Sequence, residues 1–252
     1  MYDIGTRERV LALVDQGRSL HSVSKETGIS RAAIRAWQHR PEPLSRRSPP
    51  APEAPADDRA YAYLLGLYLG DGCISPHPRG TGYHLRIACA DAWPGLMRQC
   101  GEAIRKVLPG VGVYVLRRQG CSMVTSYSRH WPRLFPQHGP GKKHERPVVL
   151  EAWQRAVVDA HPWEFVRGLI HSDGCRVTNW TTRVVAGERK RYEYPRYFFT
   201  NRSDDIRRLY TDTLDRLGVE WTHCTRKGDP YSISVARKAS VALLDAHVGP
   251  KH

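Results

Sequence analysis

Apolar and polar positions follow three different patterns along the chain. At the start, Val10, Leu13 and Val14 recur at helical spacing and Gly17 breaks the run. Ser22 stands where it could cap a second helix around Val23 to Thr27, and the turn Gly28-Ile29-Ser30 leads into a third from Arg31 to His39. Ile29, Ile34 and Trp37 are the expected core of this unit, residues 1–40. From 41 to 58 the pattern vanishes: six prolines and almost nothing apolar predict an extended, semi-stiff linker that tethers the first unit. Then comes YLLGLYLGDGCIS (63–75), too apolar for a surface loop. No run nears the roughly 20 residues of a spanning helix, so no membrane is expected as a partner.

Beyond residue 59 the chain repeats itself. YLLGLYLGDGC (63–73) returns as FVRGLIHSDGC (165–175), and residues 86–108 match 196–218 at a constant offset of 110. LFPQHGPGKKH (134–144) is answered by LLDAHVGPKH (243–252). Each repeat, 59–158 and 159–252, is expected to run helix, strands, helix, strands, helix. Residues 83–90, 111–118 and 121–128 supply strands in the first repeat, and 194–201, 219–225 and 231–237 in the second. The helix between them carries an apolar stripe at Leu96, Cys100, Ile104 and Val107.

Charge narrows the partner. Thirty-nine Lys plus Arg, 31 of them Arg, against 25 Asp plus Glu give a formal net charge of +14. That surplus favours a polyanion, and Arg suits phosphate forks and guanine edges. The six cysteines show no CxxC or Cys/His ligand spacing, which argues against a zinc site or a disulfide framework and for reduced structural thiols. The histidines, His171 among them, show no ligand spacing with cysteine either. The tryptophans Trp93, Trp131, Trp153, Trp163 and Trp221 are expected in core or interface packing. The N-terminus lacks the apolar core of a signal peptide, so the expected location is the cytoplasm, with the nucleoid.

The two apolar stretches have a shared design. Gly66 and Gly70, and likewise Gly168 and Ser172, are small residues four apart, so each helix offers a flat stripe on which another backbone can lie close. Each then ends on an aspartate, Asp71 or Asp173, followed by a glycine expected to adopt a left-handed cap. Packed side by side, the helices would bring two anions together at the negative ends of two dipoles, an arrangement that a divalent cation resolves.

These stretches resemble the LAGLIDADG motif of homing endonucleases, with residues 64–72 and 166–174 in its nine places. Leu69 and His171 depart from it where the sixth letter is usually Asp. Two copies in one chain are similar to the single-chain branch of that family. The resemblance implies an α+β fold of tandem pseudo-twofold αββαββα repeats forming a DNA-binding saddle. It implies Asp71 and Asp173 as Mg²⁺ ligands with help from the carbonyls of Gly70 and Ser172, and a catalytic lysine near each metal: Lys142 or Lys143, and Lys251. The implied activity is hydrolysis of both strands of a long asymmetric duplex site by a monomer. Arg86, Arg117, Arg118, Arg129, Arg196, Arg202, Arg226 and Arg237 lie on or beside expected strands and are the candidate DNA contacts.

The first unit resembles small helix-turn-helix domains, which implies Ser30, Arg31, Arg35 and Gln38 facing a major groove. No nucleophile stands at residue 1 and no His-Asn pair at the end, so a free-standing protein rather than an intein is expected. Two rival readings use the same fold: a WhiA-type transcription regulator that binds without cutting, and an RNA-processing factor or maturase.

Overall fold

The computed structural model describes residues 4–39, 54–78, 80–226, 228–249 and 251, and the chain divides into two compact units, 1–51 and 52–252. The expected linker lies outside the described residues as far as position 53, and its last residue, Asp58, already belongs to a helix.

The small unit contains α1 (Ile4–Asp15), α2 (Leu20–Thr27) and α3 (Arg31–His39). Val10, Val23, Ile29 and Ile34 form its core, with Trp37 partly buried against them. The cap of α2 is Ser19 rather than Ser22: the Ser22 N–H donates to Ser19 Oγ at 3.2 Å. The helix therefore starts one turn earlier than Val23 suggested, because Leu20 also packs on the core.

The large unit opens with α4 (Asp58–Asp71), β1 (Gly72–Pro76), β2 (Tyr83–Ala90), α5 (Pro94–Val107), β3 (Val113–Arg118), β4 (Cys121–Ser128) and the single turn α6 (Trp131–Leu134). A bridging helix, α7 (Ala152–Ala160), contains the expected boundary between the repeats. The order then recurs as α8 (Pro162–Asp173), β5 (Gly174–Val185), β6 (Glu188–Thr200), α9 (Asp204–Arg216), β7 (Thr222–Arg226), β8 (Asp229–Val235) and α10 (Lys238–His247). Both sheets are antiparallel and have the same order, β1-β2-β4-β3 and β5-β6-β8-β7. Each repeat is thus αββαββα.

One-sided burial makes the sheets. In the first, Leu85, Ile87, Cys89 and Val124 face the helices while His84 and Arg86 alternate onto the open side. The stripe of α5 is buried at Leu96, Cys100, Ile104 and Val107, and α9 buries Ile206, Tyr210 and Leu214 at matching positions. Helix α4 has no polar face, since Tyr61 through Leu69 are all buried. It lies against α8, α5 and the first sheet. Trp93 departs from expectation: it stands at the start of α5 with 38% of its surface exposed.

Candidate functional site

The packing of α4 on α8 is backbone on backbone. A Cβ at Gly66 would lie 2.6 Å from the Phe165 carbonyl oxygen, and one at Gly168 2.2 Å from that of Tyr63. One turn on, a Cβ at Gly70 would meet Ser172 Oγ at 2.1 Å and Asp173 Oδ2 at 3.0 Å. No side chain larger than hydrogen fits at these three glycines without separating the helices, so the small-residue stripe forces the two C-termini together.

The glycines after the aspartates act differently from expectation. Gly72 (φ −93°, ψ 153°) and Gly174 (φ −105°, ψ 169°) are extended, not left-handed, and each begins a strand. Their reason is space: a Cβ would fall 2.5 Å from Tyr68 Cα or 2.7 Å from Ile170 Cα. The chain therefore leaves each helix directly into β1 or β5.

Two lysines close the helix ends. Lys143 Nζ donates to the carbonyls of Tyr68, Gly70 (2.8 Å) and Gly72 (2.7 Å), and Lys251 Nζ to those of Ser172 (3.1 Å) and Gly174 (2.7 Å). They are equivalent positions in the two repeats. Lys142 lies exposed on the rim of a cavity that Lys143 also lines and is paired with Glu145 at 3.2 Å. Of the two adjacent lysines, Lys143 is the one whose ammonium group reaches the end of α4.

Electrostatics couple all four groups. Burial and then the charge of Asp71 push the Asp173 carboxyl up to about 6, against the Asn201 hydrogen bond and the two lysines. Asp71 is raised too, by loss of water contact, with Lys251 and Lys143 opposing. Burial brings Lys143 down to about 8 while both aspartates hold it up, and Lys251 is lowered for the same reason. Two carboxylates and two ammonium groups therefore act on one another in one partly buried place, with Asp71 at its exposed edge.

Beside it a cavity of about 430 Å³ is lined by Lys143, Asp173, Asn201, Thr200, Arg202 and Arg146, among others. Asn201 was not a sequence candidate. Its Nδ2 donates to Asp173 Oδ2 at 2.6 Å and its Oδ1 accepts from the Ser203 N–H at 2.8 Å, which fixes the amide's orientation. The repeat itself held the signal: Asn201 follows β6 as its counterpart Asp91 follows β2, and Asp91 accepts from Ser122 instead.

The motif's sixth positions are structural. Leu69 is fully buried, and His171 is buried with Nδ1 3.0 Å from the Tyr63 hydroxyl. Burial, reinforced by Arg167 and Lys251, lowers His171 to about 4 and keeps it neutral.

Register sorts the arginines. Arg86 and Arg118 are on the open face of the first sheet, where each faces Thr125 or Cys121 across the ladder, while Arg117 shares the opposite face with Ser122. Arg196 lies on the open face of the second sheet, across from Val177. Arg129 follows β4. Arg202 stacks over Tyr231 beside the cavity, and Arg237 stands at the N-cap position of α10, its side chain paired with Glu220. Arg226 ends β7, and its side chain lies outside the described residues. In the small unit Ser30, Arg31, Arg35 and Gln38 are all exposed, and Ser30 Oγ caps α3 by accepting from Ala33 N.

Two αββαββα repeats, joined through motif helices that meet glycine to glycine, define the architecture. This is the tandem αββαββα architecture that the motif's resemblance implies. No family model and no curated protein matches the chain. Among solved structures, it is similar to I-DmoI in complex with DNA and Mn at 12% identity and a TM-score of 0.47, over 77% of this chain and 98% of that one. It is similar to the N-terminal LAGLIDADG domain of DUF199/WhiA at 10% identity and 0.47, over 82% and 86% respectively. The LAGLIDADG meganuclease I-AabMI bound to uncleaved DNA gives 12% and 0.46, over 75% and 84%. No helix among the described residues is long and apolar enough to cross a membrane.

Proposed function

We propose that the chain is a Mg²⁺-dependent DNA endonuclease that seats duplex DNA on the open faces of its two sheets and hydrolyses one phosphodiester in each strand beside Asp71 and Asp173. The carrying observation is the convergence of those carboxylates, both held above their ordinary range, with one lysine on each helix end. A single chain supplies both acids, so the active species is a monomer, and the exposed face of α3 in the small unit adds contacts.

The donor set fits a hard cation. Among the described residues no group of three His, Cys, Asp or Glu gathers in one place, so a cation at Asp71 and Asp173 would need carbonyl and phosphate oxygens to complete its shell. Asp71, Asp173 and the free lone pairs of the Gly70 and Ser172 carbonyls are all oxygen donors, which suit Mg²⁺ once phosphate oxygens complete the shell. When bound, the cation supplies Lewis acidity at the phosphate and a more acidic water. The chain's own part is orientation. Asn201 fixes one Asp173 oxygen, and the ammonium groups of Lys143 and Lys251 face the extra negative charge of a five-coordinate phosphorus. Arg86, Arg118 and Arg196 on the open faces hold phosphates or base edges.

One observation favours a second reading, a regulator that binds without cutting. The carbonyls of Gly70 and Ser172 already accept from Lys143 and Lys251, so the lysines can neutralise the carboxylates on their own. The deciding experiment selects duplexes from a randomised library and incubates the bound pool with Mg²⁺ or EDTA, using wild type and Asp71→Asn with Asp173→Asn. Metal-dependent double-strand cuts that the double variant loses while still binding are the expected result. Tight binding with intact DNA under every metal condition would overturn cleavage and leave the regulator.

A further inference from the structure

The two repeats differ most in one element. In the first, β1 pairs with β2 over five residues, from Gly72↔Ile87 to Pro76↔Tyr83, and the Gly82 N–H donates to the Tyr127 hydroxyl at 3.0 Å. In the second, β5 and β6 pair from Gly174↔Phe199 out to Val185↔Glu188, while β8 joins β6 only across Tyr197–Thr200. Residues 178–195 therefore form a two-stranded ribbon beyond the sheet, with Glu193–Pro195 at its base beside α10. Eight residues at roughly 3.3 Å each carry it about 26 Å beyond the sheet.

A ribbon this long with no core beneath it should be a polar hairpin, and it is not. Trp180, Tyr192 and Tyr194 are 60%, 38% and 42% exposed, and residues 178–196 hold five Lys or Arg against two Glu. The cross-strand pairs Asn179↔Tyr194, Thr181↔Tyr192 and Arg183↔Lys190 share one face. That face continues along β6 at every second residue through Arg196 and Phe198 to Thr200, which lines the carboxylate cavity. On the other face Arg191 is ion-paired with Glu193 at 2.9 Å and stacked over Trp180, so its charge is already compensated. Arg183 and Lys190 have no carboxylate partner among the described residues.

We propose that the β5–β6 ribbon is a one-sided arm for duplex DNA, lying along the groove through its Arg183, Lys190, Tyr192 and Tyr194 face, and that it makes the protein's footprint lopsided towards the second repeat. The major groove admits a two-stranded ribbon, and about 26 Å of reach at 3.4 Å per step spans about 8 bp. Among the described residues the first repeat has no equivalent, since β1 and β2 pair over only five residues. This inference rests on the duplex-binding reading above, but not on cleavage.

The test uses the full chain and two probes, a fixed duplex of about 40 bp for salt titration and a library-selected duplex for hydroxyl-radical footprinting. The variant Arg183→Ser, Lys190→Ser, Tyr192→Ser and Tyr194→Ser should lower the slope of log K against log salt by roughly 1.8, two phosphate contacts at about 0.9 each. It should also lose about 8 bp of protection on one side only. Arg191→Ser, on the compensated face, should leave both unchanged. A second variant, with Trp180–Glu193 replaced by Asn-Gly, removes the arm while keeping the paired strand bases. It should give the same short footprint, so a folding defect of the first variant cannot imitate the result. A wild-type footprint equal on both sides, or an unchanged slope in the fourfold serine variant, would overturn the arm and leave duplex binding standing. Failure of the wild type to bind either duplex would overturn both.

Discussion

If the backbone contact between α4 and α8 sets the distance between the carboxylates, one methyl group at Gly168 should be costly, although alanine is the better helix former. The added Cβ would sit 2.2 Å from the Tyr63 carbonyl oxygen and within 3.0 Å of Gly66 Cα and Leu67 N. All three are main-chain atoms that no rotamer change can move. Restoring an ordinary contact of 3.4 Å requires the helices to part by about 1.2 Å at that point, the difference between the two distances. Overpacking of this kind costs about 1–3 kcal/mol, and a rigid backbone neighbour puts Gly168→Ala near 3. The helix-propensity gain returns about 1 kcal/mol, for a net loss of about 2. At roughly 2–4 °C per kcal/mol for a unit of this size, its Tm should fall by about 4–8 °C. Gly101→Ala is the internal control. It too lies inside a helix, but its Cβ would make only ordinary contacts at 3.5 Å to Arg105 and Val113 side-chain atoms. There the propensity gain acts alone, and Tm should rise by about 1–4 °C. Thermal unfolding of the three proteins by circular dichroism reads both signs. A Gly168→Ala protein that melts within about a degree of wild type would refute the close packing and the argument that glycines bring the aspartates together.

Two further predictions concern the charges at the helix ends. Asp173 carries a folded pKa of about 6 against an ordinary 3.8, so the folded protein binds more protons than the unfolded chain between those values. Its contribution is therefore present at low pH and lost as pH rises from about 4 to 6, amounting to about 3 kcal/mol at 1.36 per unit. Urea unfolding without divalent cation should show wild type losing stability relative to Asp173→Asn across that window, and parallel profiles would disprove the shift. For the lysines, Lys143→Met strands three carbonyls at the end of α4 and should cost about 1.5–3 kcal/mol, whereas Lys142→Met breaks only an exposed pair and should cost under about 1. Equal losses in chemical denaturation would mean that Lys143 does not hold the helix end.

How much of this was legible in the sequence follows from what a hydrophobic pattern records, which is burial on one side. Where one face is buried, the reading and the structure coincide, as at α5 with Leu96, Cys100, Ile104 and Val107, and at β2 with Leu85, Ile87 and Cys89. The duplication was legible for a different reason: two copies of one motif can be aligned on each other without knowing the fold. Three things were hidden. Gly72 and Gly174 look like left-handed caps in sequence because a glycine after a helix signals that state, but here the glycine answers to a neighbour's Cα instead. Asn201 has no motif of its own and becomes visible only when β6 delivers it to Asp173. The β5 strand, like β1, was absent from the expected elements, and residues 178–185 are mostly exposed on both faces and so carry no alternation at all.

The last case and α4 are opposite failures of the same rule, and together they say where function sits. Helix α4 lacks a period because every side from Tyr61 to Leu69 is buried, and it is buried because its second face is taken by the other repeat. The β5–β6 ribbon lacks a period because, among the described residues, only its base at Glu193–Pro195 lies beside another element, α10, yet it retains exposed aromatic surface at Trp180, Tyr192 and Tyr194. An element with a regular period is fully accounted for by its own core. An element without one needs a second surface, and here those are the helices that carry Asp71 and Asp173 and the hairpin whose face runs from Lys190 to Thr200 at the edge of the same cavity.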